Sequence, residues 1–155
     1  MNRTLILARH AHREKTLGGL LDHGLSEKGH AQAKEIRKVL EKRLQKYPSN
    51  SIVFLSSPKK RCFQTLEQLA DKIGIPIELD HSLDEGGDVE AKASQFSEKW
   101  LESEFLITIA CSHGDIIPVI TTTLLKSRLS LEKGAFFEIE YRGRSTVSLV
   151  DHFLS

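Results

Sequence analysis

The feature that most constrains the fold is an alternation: short apolar runs of strand length recur along the chain, each followed by a longer segment with apolar residues at helical spacing. Thr4-Leu5-Ile6-Leu7-Ala8 is almost continuously apolar, the pattern of a strand covered on both faces, and it stops at Arg9-His10-Ala11-His12-Arg13. After a loop holding Gly18, Gly19 and Gly24, Ser26 predicts a helix cap. Ala33, Ile36, Leu40, Leu44 and Tyr47 then share one face, and Pro48 is the stop. Ser51 to Leu55 predicts a second strand, and Ser56-Ser57-Pro58 a cap and first-turn proline for a helix to Ile73 with Cys62, Leu66, Leu69 and Ile73 inward. Ile75 to Leu79 predicts a third strand. An acidic loop, Asp80 to Asp88, leads into a helix burying Val89, Ala93, Phe96 and Trp100. Phe105 to Cys111 predicts a fourth strand that halts at Ser112-His113-Gly114-Asp115, and Ile116 to Leu125 a helix with Pro118 tolerated in its first turn. Finally, Ala135 to Tyr141 and Ser145 to Val150, joined across Arg142-Gly143-Arg144, predict a hairpin at one edge.

This order implies an α/β fold of three layers, α/β/α, with a mostly parallel sheet and an antiparallel edge. The 155 residues suit one domain spanning 1–155, enough to bury a core but not to add a second. Because 22 Lys and Arg nearly cancel 21 Asp and Glu, the chain offers no polyanion-binding field, and no nucleic-acid partner is expected. Two cysteines, Cys62 and Cys111, provide neither a disulfide framework nor a multi-cysteine metal site. No apolar run approaches the ~18 residues of a membrane span, so the expectation is a cytoplasmic protein without a membrane partner.

In such sheets ligands bind beyond the carboxyl ends of the strands, which selects Arg9-His10, the Ser56 to Arg61 turn, the Asp84-Glu85 loop and Ser112 to Asp115. Two histidines, His10 and His113, with two arginines, Arg9 and Arg61, at one sheet edge would attract a compact dianion such as phosphate. Flanking arginines also disfavour the imidazolium, leaving a neutral imidazole of the kind a nucleophile requires. The cluster points to phosphoryl transfer.

The residues that carry this cluster resemble the histidine phosphatase superfamily, the phosphoglycerate-mutase-like fold. The matches are Leu7-Ala8-Arg9-His10-Ala11 for its Arg-His-Gly signature, Leu25-Ser26-Glu27-Lys28-Gly29 with Gln32-Ala33, Ser56-Ser57-Pro58-Lys59-Lys60-Arg61 with Gln64-Thr65, and Ser112-His113-Gly114-Asp115. Ala11 stands where the family usually has glycine, and the short interval from Glu85 to His113 resembles the cap-less branch similar to bacterial phosphohistidine phosphatases. The resemblance implies that His10 attacks phosphorus and is transiently phosphorylated. It makes Arg9, Arg61 and His113 the groups that bind substrate and stabilise the transition state, with no metal and no cofactor. It also calls for a carboxylic acid at the leaving group, for which Glu85 is the positional match and Asp84 its competitor. The implied partner is a phosphorylated protein, through phosphohistidine, or a small phosphorylated substrate with an exposed phosphomonoester.

Two other readings stay open. A non-catalytic phosphate- or phosphoprotein-binding module would keep the pocket without turnover. His10 and His12 with Asp115 would offer zinc ligands for a metal hydrolase. Cysteine phosphatases are not supported, since Gln68 and Ile117 stand where an arginine should follow Cys62 and Cys111. Gly24 to His30 lacks the lysine of a phosphate-binding loop, and neither a Gly-x-Ser-x-Gly elbow nor a Gly-x-Gly-x-x-Gly turn occurs.

Overall fold

In the computed structural model, which describes residues 2–15, 21–143 and 147–153, the apolar runs assemble side by side into one six-stranded sheet. Its strands are β1 (Arg3–Arg9), β2 (Ile52–Ser56), β3 (Ile77–Leu79), β4 (Ile107–Ser112), β5 (Phe136–Tyr141) and β6 (Val147–Phe153). The spatial order is β3-β2-β4-β1-β5-β6. The first four are mutually parallel, and β5 joins β1 antiparallel before turning back to β6. Four helices connect them: α1 (Glu27–Leu44), α2 (Lys60–Ile73), α3 (Val89–Leu101) and α4 (Ile117–Leu125).

Alternation along each strand divides the core between two faces. Ile6, Ala8, Phe54 and Ile109 meet Ile36, Leu40 and Leu44 of α1 and Cys62, Leu66 and Leu69 of α2. Leu5, Leu7, Val53 and Leu55 meet Phe96 and Trp100 of α3 and Ile117, Ile120 and Leu124 of α4. The expected three-layer arrangement with an antiparallel edge is therefore the one observed. Among the described residues no helix is long and apolar enough to cross a membrane.

Several local expectations shift. Ser26 does cap α1, accepting from the Gly29 amide at 3.1 Å. Ser57 does not cap α2, which starts at Lys60 after Lys59 with no side-chain cap, so Pro58 lies before the helix rather than in its first turn. β3 begins at Ile77 instead of Ile75, because the Gly74 and Ile75 amides both return to the Ala70 carbonyl, at 2.8 and 3.1 Å, and finish α2. The acidic loop contains a short 3-10 turn, His81–Leu83, capped by Asp80. Gly18, Gly19, Arg144 of the expected hairpin turn and Ser145 at the start of its expected second strand lie outside the described residues.

Candidate active site

The parallel order places the carboxyl ends of β1, β2 and β4 next to each other, with Arg9 paired to Ser112 and Ser56 to Cys111. The chain leaving β1 needs its backbone donors satisfied as it crosses from the sheet towards α1. The Ala11 amide donates to Thr65 Oγ1 at 2.9 Å, His12 to Gln32 Oε1 at 2.8 Å and Leu25 to Gln64 Oε1 at 2.8 Å. Gly29 lets α1 approach this segment: a Cβ there would stand 2.0 Å from the His12 carbonyl oxygen. Ala11 fills the niche against Leu25 and Ala33, so a methyl group fits where the signature has glycine.

These supports bring His10, Arg9, Arg61, Glu85 and His113 to the wall of one cleft of about 420 Å³, together with Arg13, Lys15, Gly114, Asp115 and Lys133. The buried His10 ring has its Nδ1 2.8 Å from the Ala11 carbonyl oxygen. A carbonyl only accepts, so Nδ1 carries the proton and Nε2 keeps its lone pair. Burial, then the charges of Arg61, Arg9 and Lys133, pull the His10 pKa down to about 4 against the Ala11 bond that favours the imidazolium. The His113 ring lies 5.4 Å from that of His10 and is drawn down to about 3, first by burial and then by Arg61 and His10.

Arg61 is held on three sides. Its guanidinium pairs with Glu85 and lies 3.4 Å from Asp22 Oδ2, and its amide donates to the same Asp22 oxygen at 3.2 Å. Burial works against the Asp22 carboxylate, but the Arg61 and Gly24 amides and the charges of Arg61 and Arg13 hold it below the usual range. Arg9 donates to the Leu131 carbonyl at 3.0 Å and lies against Gly114, where a Cβ would come within 2.8 Å of Cζ. Gly114→Ala is therefore expected to displace the Arg9 guanidinium with little change in Tm. It should lower kcat/KM on an aryl phosphate by up to about 10²-fold, the loss that a misplacement of about 1 Å can bring.

The two loop carboxylates separate. Asp84 turns to Ser57 Oγ and to Lys59 Nζ, both at 3.4 Å, and its own Oδ1 accepts the Glu85 amide at 2.8 Å. Despite burial, that amide and the Lys59 ammonium keep the Asp84 carboxyl below its ordinary range. Glu85 reaches Arg61 and stands 3.4 Å from His113 Nδ1. The loop is pinned by Ser112 Oγ on the Leu83 carbonyl at 2.5 Å and by Lys92 Nζ on the Asp84 carbonyl at 2.6 Å. Ser57, read from the sequence as a cap, instead meets His113 Nε2 at 2.8 Å. Arg13 belongs to the polar run that ends β1, whereas Asp22, Lys15 and Lys133 carry no local pattern that marks them.

The zinc trio is not assembled. His12 Nδ1 turns to Ser26 Oγ at 2.7 Å and Asp115 accepts from the Gly86 amide at 2.8 Å. Among the described residues no group of three or more His, Cys, Asp or Glu is placed to hold a metal ion.

Keeping two imidazoles neutral has a cost in acid. The unfolded chain binds these protons near pH 6.5, the folded chain only near 4 and 3, so stability is full above about pH 6.5 and is lost as pH falls towards 4. At pH 4.5 the His10 contribution is on the order of 2 kcal/mol. The urea midpoint of His10→Gln should accordingly drop less than that of the wild type between pH 7 and pH 4.5.

The family model for the histidine phosphatase superfamily (branch 1) matches residues 5–105. No curated protein sequence matches the chain. Among solved structures, a mycobacterial glucosyl-3-phosphoglycerate phosphatase superposes with a TM-score of 0.78 at 20% identity, covering 100% of both chains. The putative phosphohistidine phosphatase SixA from Agrobacterium tumefaciens gives 0.76 at 20% identity, over 99% of this chain and 98% of that one. The protein histidine phosphatase SixA complexed with tungstate gives 0.77 at 16% identity, over 97% and 96%. These are likenesses of fold, and they match the phosphoglycerate-mutase-like expectation.

Proposed function

Since the chain belongs to the histidine phosphatase superfamily (branch 1), we propose that it is a phosphatase that passes the phosphoryl group through His10 without a metal ion. The observation that carries this reading is the state of His10: neutral, with Nδ1–H tied to the Ala11 carbonyl and Nε2 left as the nucleophilic nitrogen between Arg9, Arg61 and His113.

In the first half-reaction His10 Nε2 forms the bond to phosphorus as the bond to the leaving group breaks, and the guanidinium groups of Arg9 and Arg61 hold the nonbridging oxygens with His113. Incoming phosphate displaces Glu85 from Arg61 and frees that carboxylate to face the leaving group and, in the second half-reaction, the attacking water. Water then supplies an oxygen to phosphorus and gives its proton to Glu85, the N–P bond breaks, and its electron pair returns to Nε2. Asp84, occupied by Ser57 and Lys59, is less suited to this role than Glu85.

With Glu85 engaged by Arg61 in the resting site, the cleft favours leaving groups that depart without a strong proton donor. Imidazole, titrating near ~6.5, is one of these. The open cleft also admits a side chain projecting from another protein. The reading is thus phosphohistidine in a protein, or another exposed phosphomonoester. Mixing the enzyme with a chromogenic aryl phosphate in chelator and quenching in alkali should yield an alkali-stable phosphohistidine on the His10 peptide. Turnover abolished by chelator, or phosphate binding with no phosphopeptide and no turnover, would reject it.

A further inference from the structure

Ser57 is buried one residue past β2, and its amide donates to the Cys111 carbonyl at 3.1 Å, which ties the ends of β2 and β4 together. The tie seats the Ser57 hydroxyl 2.8 Å from Nε2 of His113, and Sγ of Cys62 stands 3.4 Å from the same nitrogen. At the other side of the ring, Nδ1 lies 3.4 Å from Glu85 Oε2 and 3.4 Å from Nη2 of Arg61.

A neutral imidazole carries one N–H and one lone pair, and its neighbours decide which nitrogen has which. At Nδ1 the Glu85 carboxylate can only accept, and Nη2 of Arg61 donates to that same carboxylate. At Nε2 both neighbours have a hydrogen to give: the Ser57 hydroxyl, and the Cys62 thiol, which burial pushes well above its ordinary range. Asp84 offers the Ser57 hydrogen a second acceptor, but at 3.4 Å against 2.8 Å. That carboxylate also has donors of its own, the Glu85 amide at 2.8 Å and the Lys59 ammonium at 3.4 Å. Ser57 Oγ in turn accepts the Lys59 amide at 3.3 Å. The hydroxyl hydrogen therefore goes to Nε2, and the ring's own hydrogen stands on Nδ1.

We propose that Ser57 is a positioning residue: by donating to Nε2 it fixes His113 as the neutral tautomer with its hydrogen on Nδ1, aimed where Glu85 lies in the resting cleft and where a phosphoryl oxygen lies during the reaction. This rests on the phosphatase reading of His10 and adds a residue that acts only through His113. The two histidines then present opposite faces to phosphorus, each set by a bond at the far ring nitrogen. The Ala11 carbonyl accepts from Nδ1 of His10 and leaves a lone pair at Nε2, while the Ser57 hydroxyl donates to Nε2 of His113 and leaves an N–H at Nδ1. A donor fixed in advance needs no proton when the anion arrives, and its bond strengthens as charge gathers on the equatorial oxygens.

Long-range nitrogen–proton NMR spectra of the whole protein, labelled at histidine and recorded near about pH 7, report which ring nitrogen carries the hydrogen, with His10→Gln and His113→Gln assigning the two rings. In the wild type, His113 should show a protonated Nδ1 and a bare Nε2. Ser57→Ala should mix the two tautomers and lower kcat on an aryl phosphate by about 10²-fold with KM within about threefold, the split expected for a donor that matters most in the transition state. Ser57→Thr keeps the hydroxyl and should restore both readouts. Asp84→Asn keeps an oxygen for the Glu85 amide and removes only the charge, so it should leave the ring spectrum unchanged. Hydrogen on Nε2 in the wild type, a tautomer that follows Asp84→Asn, or a Ser57→Ala spectrum identical to the wild type would each overturn the proposal, and the first two need no Ser57 variant to fold. These spectra require no turnover, so the two failures differ: a His10 phosphopeptide formed with hydrogen on Nε2 rejects Ser57 alone. Absence of both phosphopeptide and turnover rejects the phosphatase reading, and the role of Ser57 with it.

Discussion

His10→Ala is expected to lower kcat/KM on aryl phosphates by about 10⁴-fold or more, because no other group in the cleft is placed to form the covalent intermediate. His113, the second imidazole, has Nε2 engaged with Ser57 and Nδ1 facing Arg61 and Glu85 at 3.4 Å, so it is not placed as a substitute nucleophile. Binding of inorganic phosphate should survive, with Kd within about threefold of the wild type, since Arg9, Arg61 and His113 remain. Loss of turnover with retained binding separates a nucleophilic His10 from a pocket that merely holds phosphate. Turnover that persists in the variant would remove His10 from the chemistry altogether. The same substitution deletes one buried neutral imidazole, and its stability should depend less on pH below 6.5, a readout independent of catalysis.

What could be read in the sequence follows from how far each interaction reaches along the chain. Leu5, Ile6, Leu7 and Ala8 declare a strand buried on both faces by themselves, and the rule that ligands sit beyond such strand ends was enough to select Arg9, His10, Arg61, His113 and the Asp84-Glu85 loop. Gln32, Gln64 and Thr65 were legible only as matches to a family pattern. The structure supplies their cause, since each accepts a backbone amide of the segment that leaves β1 or of Leu25 beside it. Ser57 was misread because a serine before a proline has an ordinary local use as a helix cap, and its actual partner is 56 residues away. Asp22 binds Arg61 across 39 residues. Lys133 arrives only through the antiparallel pairing of β5 with β1. The different settings of Glu85 and Asp84 depend on a loop backbone that Lys92 of α3 and Ser112 of β4 fix, and on Lys59, which meets the Asp84 carboxylate.

Arg61→Ala is expected to reduce kcat/KM by about 10³-fold, more than loss of one hydrogen-bond donor would give, because the arginine has two tasks. On the reading proposed above it holds phosphoryl oxygens, and it also pairs with Glu85 and with Asp22, the latter at 3.4 Å. Without it those carboxylates face the incoming dianion, so the ground-state complex should weaken together with the transition state, and KM should rise as kcat falls. Arg61→Lys restores the charge but not the planar fork, and recovery should be partial, leaving a deficit of about 10²-fold. Arg61 is also the leading charge holding His113 in its neutral form and contributes to that effect at His10. Its removal should let both rings take protons at higher pH, which makes the acid loss of folding stability shallower than in the wild type. A variant with normal KM and a small loss in kcat would show that Glu85 and Asp22 do not depend on Arg61 for their charge balance. That result would also place the phosphoryl clamp on Arg9 and His113 alone.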